Sequence, residues 1–287
     1  MADQAQYLRK FLAENRKQAR VLAVTSGKGG VGKTCTSVNL AITLAMHKPR
    51  VVVLDADLGL ANVEVLLGLN SLYNLQHVVY GERSMQDILV TGPGNIRVVP
   101  GNSGLGKLAD MNEVGRERVL EGIRQLQEQS DFIIIDTMAG IGRNAVNFAA
   151  AADETLLVVT PEPASIVDGY ATLKAVFNRR EDAVARLLVN QAASLEQAKA
   201  VAKKLIHVAQ QHMGRKLSYL GHIPRDPHVP QSAMQSVPYT LRFPNAPATK
   251  AMEELAVRVV HQRVDTDVNR PTFWKRLGQT LGIASSA

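Results

Sequence analysis

The sequence predicts an α/β fold in which a doubly wound, mostly parallel sheet carries helices on both faces. Short runs of β-branched and aliphatic residues alternate along the chain with longer segments of helical periodicity, and that alternation is typical of parallel sheets. Three predicted strands end in Asp or Asn, which places those side chains at the sheet edge where open α/β folds bind ligands. Another strand leads directly into a glycine-rich loop.

Each element follows from apolar periodicity. The first strand begins at Val21 and ends at the glycine-rich loop, and a helix follows that loop. Further strands are predicted at 50–54, 96–99, 131–135, 154–160, 184–190 and 218–223, and further helices at 113–129, 165–178, 195–211 and 249–261. We also expect a turn at 92–95, a loop at 101–106, and a proline-rich segment along the sheet edge at 224–247.

Composition limits the class of protein. The chain has 287 residues, of which 46% are hydrophobic and 21% charged, enough for one large α/β domain. No apolar run is long enough to cross a bilayer, and the N-terminus is polar, so we expect a cytoplasmic protein. Cys35 is the only cysteine, which excludes a disulfide framework within one chain. The net charge of +7 suits an acidic partner, either anionic lipid or nucleic acid.

The glycine-rich loop carries the strongest functional signal in the chain. Residues 27–34 read GKGGVGKT, a complete match to the pattern G-x-x-x-x-G-K-[ST] between a strand and a helix. In such a loop, successive backbone N–H groups surround a phosphate at a helix N-terminus. We expect Lys33 to reach the β and γ phosphates of a nucleotide, and Thr34 to bind Mg²⁺ through its hydroxyl. The predicted nucleotide contacts are Gly27, Lys28, Gly29, Gly30, Val31, Gly32, Lys33, Thr34 and Cys35.

Acidic residues at two strand ends complete a predicted hydrolytic site. Asp55 and Asp57 follow the second strand, and Asp136 follows the strand at 131–135. Because both strand ends lie beside the loop, we expect Asp55 and Asp136 to hold Mg²⁺ or its water shell. Asp57 is expected to orient the attacking water, and Gly140 to present its amide to the γ phosphate.

Two segments resemble one known family. Residues 28–34, KGGVGKT, resemble the deviant phosphate loop of the MinD/ParA group of ATPases, and residues 55–68, DADLGLANVEVLLG, resemble its switch I. The resemblance implies a MinD-like P-loop fold and a symmetric dimer that encloses ATP and Mg²⁺. It also implies that Lys28 crosses the dimer interface to the other subunit's nucleotide, and that hydrolysis needs Asp57. The single Cys35 does not suit the iron-sulfur reductases among the relatives, which use two cysteines per subunit.

The same resemblance assigns the residues that bind the base. Asn190 ends its strand where the group contacts adenine, and its amide can both donate to and accept from the purine edge. A turn-forming role is the alternative for this residue. Pro224 and Arg225 are expected to border the adenine or the ribose. Met138 stands where the group has a small residue or proline, a departure from the family pattern at switch II.

The N-terminus carries a second resemblance. Residues 3–9, DQAQYLR, match DQAxxLR, the N-terminal motif of FlhG-type regulators of the MinD group, which control flagellar number and placement. The match implies that residues 1–18 form an amphipathic helix that activates FlhF, a signal-recognition-particle-type GTPase. Residues 19–265 would then form the ATPase domain, and residues 270–287 a C-terminal tail.

The tail is predicted to be an amphipathic helix. Phe273, Trp274, Leu277 and Leu281 share one arc of a helical wheel, and basic residues lie elsewhere on it. An aromatic, basic helix of this kind is typical of membrane-surface anchors, and it resembles the targeting helix of the MinD group. We therefore expect residues 270–283 to contact an anionic membrane. Packing against the domain is the alternative, since a docked helix also needs an apolar stripe.

Together these features predict an ATP-dependent, dimerising ATPase at the inner face of the cell membrane. It would regulate flagellar number and placement with an FlhF-type GTPase. Flagellar switch proteins or a flagellar transcription activator are further expected partners, and DNA is not expected. Two alternatives stay open: a division-site or DNA-partition ATPase of the same group, and an ATP-binding co-repressor of flagellar transcription that does not depend on hydrolysis.

Overall fold

The computed structural model describes residues 18–46, 49–57, 62–101, 112–261 and 271–281. Its strands are β1 (Arg20–Ser26), β2 (Val51–Ala56), β3 (Val90–Thr91), β4 (Arg97–Val99), β5 (Phe132–Ala139), β6 (Glu154–Val159), β7 (Ala185–Ala192) and β8 (Leu217–Pro224). Its helices are α1 (Lys33–Ala45), α2 (Asn62–Leu67), α3 (Leu75–Tyr80), α4 (Glu113–Gln129), α5 (Arg143–Ala151), α6 (Pro163–Arg179), α7 (Leu195–Met213), α8 (His228–Met234), α9 (Tyr239–Arg242), α10 (Pro247–His261) and α11 (Phe273–Thr280).

The strands form one sheet in the order β3-β4-β2-β5-β1-β6-β7-β8. Only β3 runs antiparallel to its neighbour among the described strands, and the other pairs are parallel. Parallel neighbours need long crossover connections, and helices supply most of them here. The predicted doubly wound, mostly parallel α/β fold is confirmed.

The sheet is buried on both faces because its central strands are apolar on both sides. In β1, Val21 and Ala23 belong to the core on one face, and Leu22 and Val24 to the core on the other. Helices α1, α2 and α10 cover the second face, and α4, α5, α6, α7 and α11 cover the first. This arrangement leaves the carboxyl edge of the strands open for the loops that carry the candidate site.

The C-terminal helix α11 packs onto the domain. Phe273 and Leu277 are fully buried in the core beside α4 and α5. Arg276 donates to the carbonyl of Ala151 at 2.6 Å and pairs with Asp153 at 2.5 Å. The packing alternative therefore describes α11 in this structure, and protein covers the stripe that was expected to meet lipid. Contact with a membrane stays a prediction.

Several expectations concern other parts of the chain. Of the activating helix predicted at residues 1–18, all but residue 18 lie outside the described residues. The same is true of residues 102–106 of the predicted loop and residues 58–61 of switch I. The short helices α2, α3, α8 and α9 were not predicted, since so few residues give no clear period. Within the described ranges, none of the helices combines the length and apolar character needed to cross a membrane.

Candidate active site

The phosphate loop joins β1 to α1 at the carboxyl edge of the sheet. Gly30 and Gly32 have φ values of 79° and 87°, in the left-handed region that favours glycine. Gly32 is also the N-cap of α1 and provides no side-chain cap. The first N–H groups of α1 are therefore left for an anion, which the helix dipole favours at this end.

Neighbouring elements fix the loop from two sides. A Cβ on Gly27 would come within 2.1 Å of the backbone of Asp168 in α6, and one on Gly32 within 2.4 Å of Asn190 Nδ2 in β7. A side chain at either position would have to displace backbone or a buried amide. Packing against these neighbours therefore requires glycine at both positions, whether or not a phosphate is bound.

Asp136 is the polar centre behind the loop. Its carboxylate is fully buried within β5, which runs on to Ala139 beyond the strand end predicted at Asp136. It accepts from Lys33 Nζ at 3.1 Å, from Thr34 Oγ1 at 2.7 Å and from Ser37 Oγ at 2.8 Å. Three residues from the first turns of α1 are therefore tied to one carboxylate of β5. The phosphate and Mg²⁺ roles expected of Lys33, Thr34 and Asp136 stay predictions.

These oxygens suit a hard divalent cation. The Thr34 hydroxyl and the Asp136 carboxylate converge at the start of α1, and Mg²⁺ in nucleotide sites is bound by one or two such groups together with phosphate oxygens. No group of three or more His, Cys, Asp and Glu side chains among the described residues is arranged to hold a metal by itself. A cation here would therefore depend on the nucleotide for its remaining ligands.

Asp55 and Asp57 occupy different environments at the end of β2. Asp55 is fully buried; its Oδ1 accepts from Asp57 N at 3.0 Å and its Oδ2 from Val63 N at 3.3 Å. Burial, and secondarily the charge of Asp136, raises the pKa of Asp55 to about 7. Asp57 lines the pocket and accepts from Asn62 Nδ2 at 3.0 Å. Asp55 thus bonds to one backbone amide before residues 58–61 of switch I and to one after them. The role of Asp55 in metal binding stays a prediction.

Lys28 stands at the mouth of the pocket. Its Nζ lies 2.7 Å from Glu162 Oε2, next to the start of α6, and the two side chains are 41% and 64% exposed. A hydrogen bond and the opposite charge of Glu162 raise the pKa of Lys28, and the same contact lowers the pKa of Glu162. Lys28 is therefore held as a cation in its own chain, within reach of solvent.

The pocket over the loop has a volume of about 520 Å³. Besides the loop residues, Asp57, and Ser26 and Ala139 at the ends of β1 and β5, four residues that the sequence did not single out line it: Asn62, Val65, Leu66 and Ala233. These four come from α2 and α8, two helices too short to predict. Cys35 also lines the pocket, and burial raises the pKa of its thiol to about 12.

Other predicted ligand contacts are engaged within the protein. The amide of Gly140 donates to the Ser26 carbonyl at 2.7 Å, so a γ-phosphate contact through this amide stays a prediction. Pro224 ends β8, and Arg225 N donates to the Ala192 carbonyl at 2.8 Å. Asn190 is buried against the loop, and its adenine contact likewise stays a prediction.

The site defines a class of protein. A strand, a phosphate loop and a helix surround an open pocket, with a buried aspartate behind the loop and a second acidic strand end beside it. That is the arrangement of a P-loop nucleotide hydrolase.

Comparison with known proteins narrows this class. A family model described as an AAA domain matches residues 19–188. Antiactivator FleN of Pseudomonas aeruginosa is 39% identical over 247 residues, 86% of either chain. Flagellum site-determining protein YlxH of Helicobacter pylori is 30% identical over 95% of this chain and 94% of its own. A chain of the MinC:MinD cell division protein complex of Aquifex aeolicus superposes with a TM-score of 0.70 at 25% identity, over 87% of this chain and 98% of its own. The chain therefore belongs to the FlhG-type MinD/ParA family, and it is an ATPase.

Proposed function

We propose that this ATPase is a nucleotide-controlled dimer switch that regulates flagellar number and placement at the membrane. The observation that carries the proposal is Lys28, a second lysine at the exposed mouth of the phosphate loop. Lys33 already supplies a buried cation beside the phosphate position. Lys28 pairs with Glu162 in a solvent-exposed contact, and such pairs contribute little to stability. The cation could therefore leave Glu162 for the nucleotide of a second subunit, where closure of the site would strengthen the interaction.

Each described residue of the site has a proposed role in ATP hydrolysis. Lys33 and the loop amides would bind the β and γ phosphates, Thr34 and Asp136 would hold Mg²⁺, and Asp55 would support its water shell. Bound Mg²⁺ would neutralise charge on the phosphates. Asp57 orients the water for attack from its place on the pocket wall, and Lys28 of one chain stabilises charge on the nucleotide of the other.

Replacing Lys28 by Ala tests the dimer. We expect Lys28→Ala to retain ATP binding but to lose ATP-dependent dimerisation and turnover, measured by light scattering and phosphate release. Lys174→Ala, an exposed lysine on α6, is the matched control. An unchanged hydrolysis rate per molecule in Lys28→Ala would contradict the proposed trans role.

Membrane attachment is proposed to use α11 after it leaves the domain. Burial of Phe273 and Leu277 contributes about 1.5–3 kcal/mol each, so undocking opposes insertion by roughly twice that amount. One partly inserted helix would be marginal, whereas two helices in an ATP-held dimer bind with a high effective concentration. Dimerisation can therefore switch membrane residence without changing the helix.

Deletion of residues 270–287 tests the anchor. We expect the shortened chain to lose binding to vesicles that contain anionic lipid while ATP hydrolysis stays measurable. Because the deletion also uncovers part of the core, its melting temperature must be measured beside the full chain. Vesicle binding by the folded, shortened chain would refute the assignment.

The proposed partner is an FlhF-type GTPase that is activated by residues 1–18. The names of two relatives support a flagellar role. They are Antiactivator FleN of P. aeruginosa and flagellum site-determining protein YlxH of H. pylori. The test is the GTPase rate of the cognate FlhF with and without a peptide of residues 1–18, beside the same peptide with Arg9→Ala. No stimulation would move the proposal toward division, partition or transcription.

A second candidate function is inhibition of a flagellar transcription activator. The name of the P. aeruginosa relative, Antiactivator FleN, favours it. In that role ATP would act as a conformational ligand, and binding of the activator would need the dimer but not hydrolysis.

A further inference from the structure

We propose that Ser37 is a positioning residue that orients the Asp136 carboxylate for a metal ion. Its Oγ lies 2.8 Å from Asp136 Oδ1, and its side chain is fully buried. The phosphate-loop pattern ends at Thr34 and assigns no role to Ser37. The inference rests on the proposed binding of Mg²⁺ by Thr34 and Asp136, and it deepens that proposal by naming the group that holds Asp136 in place.

The Ser37 hydroxyl has one proton and two acceptors within reach. Besides Asp136 Oδ1, the carbonyl oxygen of Lys33 lies 3.1 Å from Ser37 Oγ, four residues earlier in α1. A hydroxyl can donate to only one of these oxygens at a time. The carboxylate is closer, and hydrogen bonds to a charged acceptor are stronger than those to a neutral one. We therefore assign the proton to the bond with Asp136.

The bond to Ser37 fixes the rotation of the carboxylate. The last torsion of an aspartate side chain has only a broad preference, so hydrogen bonds decide where its two oxygens point. Asp136 Oδ1 faces Ser37 and Lys33, and Oδ2 accepts from the Thr34 hydroxyl at 2.7 Å. By holding Oδ1, Ser37 directs Oδ2 toward the hydroxyl that is proposed to bind Mg²⁺.

Ser37 differs from the other two donors to Asp136 in its access to ligand. Lys33 and Thr34 both line the pocket, so a bound nucleotide or cation would share their polar atoms with Asp136. Ser37 is fully buried one turn of α1 after Lys33, and its bond to Asp136 can therefore persist whatever occupies the pocket. Removing a group that holds a metal-binding carboxylate in this way typically lowers metal affinity about 10–100-fold.

Nucleotide binding with and without Mg²⁺ tests the proposal. The dissociation constant of ADP is measured by calorimetry in excess Mg²⁺ and in EDTA, for wild type and Ser37→Ala. Use of ADP keeps the test separate from hydrolysis and from the proposed ATP-dependent dimer. We expect Ser37→Ala to weaken ADP binding about tenfold more in Mg²⁺ than in EDTA. Alanine suits a helix interior, so the variant should fold. Equal weakening in both conditions, or none, would overturn the proposal, because a hydroxyl that only packs the helix does not distinguish them.

Two further variants serve as controls. Thr43→Val removes another buried hydroxyl of α1, which donates to the Asn39 carbonyl at 2.8 Å, and it should respond to Mg²⁺ like wild type. The same loss of response in Thr43→Val as in Ser37→Ala would also reject the proposal. Thr34→Ala removes the hydroxyl that is proposed to bind Mg²⁺, and it should lose the response at least as far as Ser37→Ala.

The Thr34 variant separates two kinds of failure. If Thr34→Ala responds to Mg²⁺ like wild type, the proposed metal site is wrong, and the role of Ser37 is rejected with it. If Thr34→Ala loses the response while folded Ser37→Ala keeps it, the metal site stands and only the role of Ser37 is refuted.

Discussion

Asp136 is the residue on which the polar contacts of the site converge. A fully buried carboxylate is costly unless charge and hydrogen bonds compensate it. Here Lys33 supplies the charge, and Thr34 and Ser37 supply hydroxyl donors. The same group that organises the loop for phosphate therefore also stabilises the fold.

Removing this carboxylate should affect stability as well as catalysis. We expect Asp136→Ala to lower the free energy of unfolding by about 3–5 kcal/mol, because it leaves the buried Lys33 ammonium without its counter-charge. Urea denaturation measures this. The matched control is Asp131→Ala, whose exposed carboxylate pairs with Arg50 and should contribute less than about 1 kcal/mol. Equal losses in the two variants would contradict the explanation.

Asp55 makes a pH dependence testable. Its pKa is about 7 in the folded chain, against an ordinary value of 3.8, so between these values the folded state binds the extra proton. Its contribution to stability is complete below about pH 4 and is lost as the pH rises through 7. Relative to Asp55→Asn, the wild type should therefore lose up to about 1.4 kcal/mol per pH unit across this window.

The comparison with Asp55→Asn separates ionisation from geometry. An Asn cannot accept from both Asp57 N and Val63 N, but that defect is independent of pH. The measurement is urea denaturation of metal-free protein at pH 5, 6, 7 and 8. A constant difference between the two chains over this range would mean that Asp55 is ionised throughout.

Among the elements, α11 packs onto the domain through the apolar stripe that was also predicted to contact a membrane. Its apolar residues pack beside α4 and α5, while Arg276 is buried and bonded to the loop before β6. A buried arginine needs such partners. Arg276 therefore makes docking specific, whereas the apolar stripe alone would suit either protein or lipid.

Loosening this contact should favour the membrane. We expect Arg276→Ala to increase the vesicle-bound fraction severalfold without nucleotide, because undocking becomes less costly while Phe273 and Trp274 remain for insertion. Vesicle co-sedimentation measures this. Lys275→Ala is the control, since Lys275 is exposed and lies 5.5 Å from the Trp274 ring. Lower vesicle binding by folded Arg276→Ala than by Lys275→Ala would count against the proposal that docking of α11 restrains membrane binding.

Across the whole molecule, the nucleotide site and α11 lie at opposite ends of the parallel strands. The phosphate loop follows the end of β1, whereas Asp153, the partner of Arg276, accepts from Val21 N near the start of β1. The seven residues of β1 span about 20 Å. At that distance a bound nucleotide cannot contact α11. Control of membrane binding through dimerisation is therefore favoured over control through direct contact.

Blocking hydrolysis should separate the switch from a purely regulatory role. We expect Asp57→Ala to bind ATP and to dimerise, but to stay dimeric and vesicle-bound after wild type has consumed its ATP and dissociated. Timed co-sedimentation after a limited dose of ATP measures this. Normal flagellar number in cells carrying only this variant would instead favour the transcriptional role, in which hydrolysis has no part.

The sequence by itself determined the features that are contiguous or periodic. The strand, loop and helix at 20–45, the acidic ends of β2 and β5, and the long helices were predictable because each has a local pattern. The mostly parallel direction of the strands followed from the alternation of these elements, whereas their order in the sheet was not predicted.

Only the tertiary structure decided which distant residues meet. Glu162 beside Lys28, Asn190 beneath Val31, and the pocket wall from α2 and α8 come from segments far apart in sequence. An acidic residue after a strand or an Asn at a strand end has no local sign of its partner. The docking of α11 was also open in the sequence, because an apolar stripe shows that a helix needs cover but not which surface supplies it.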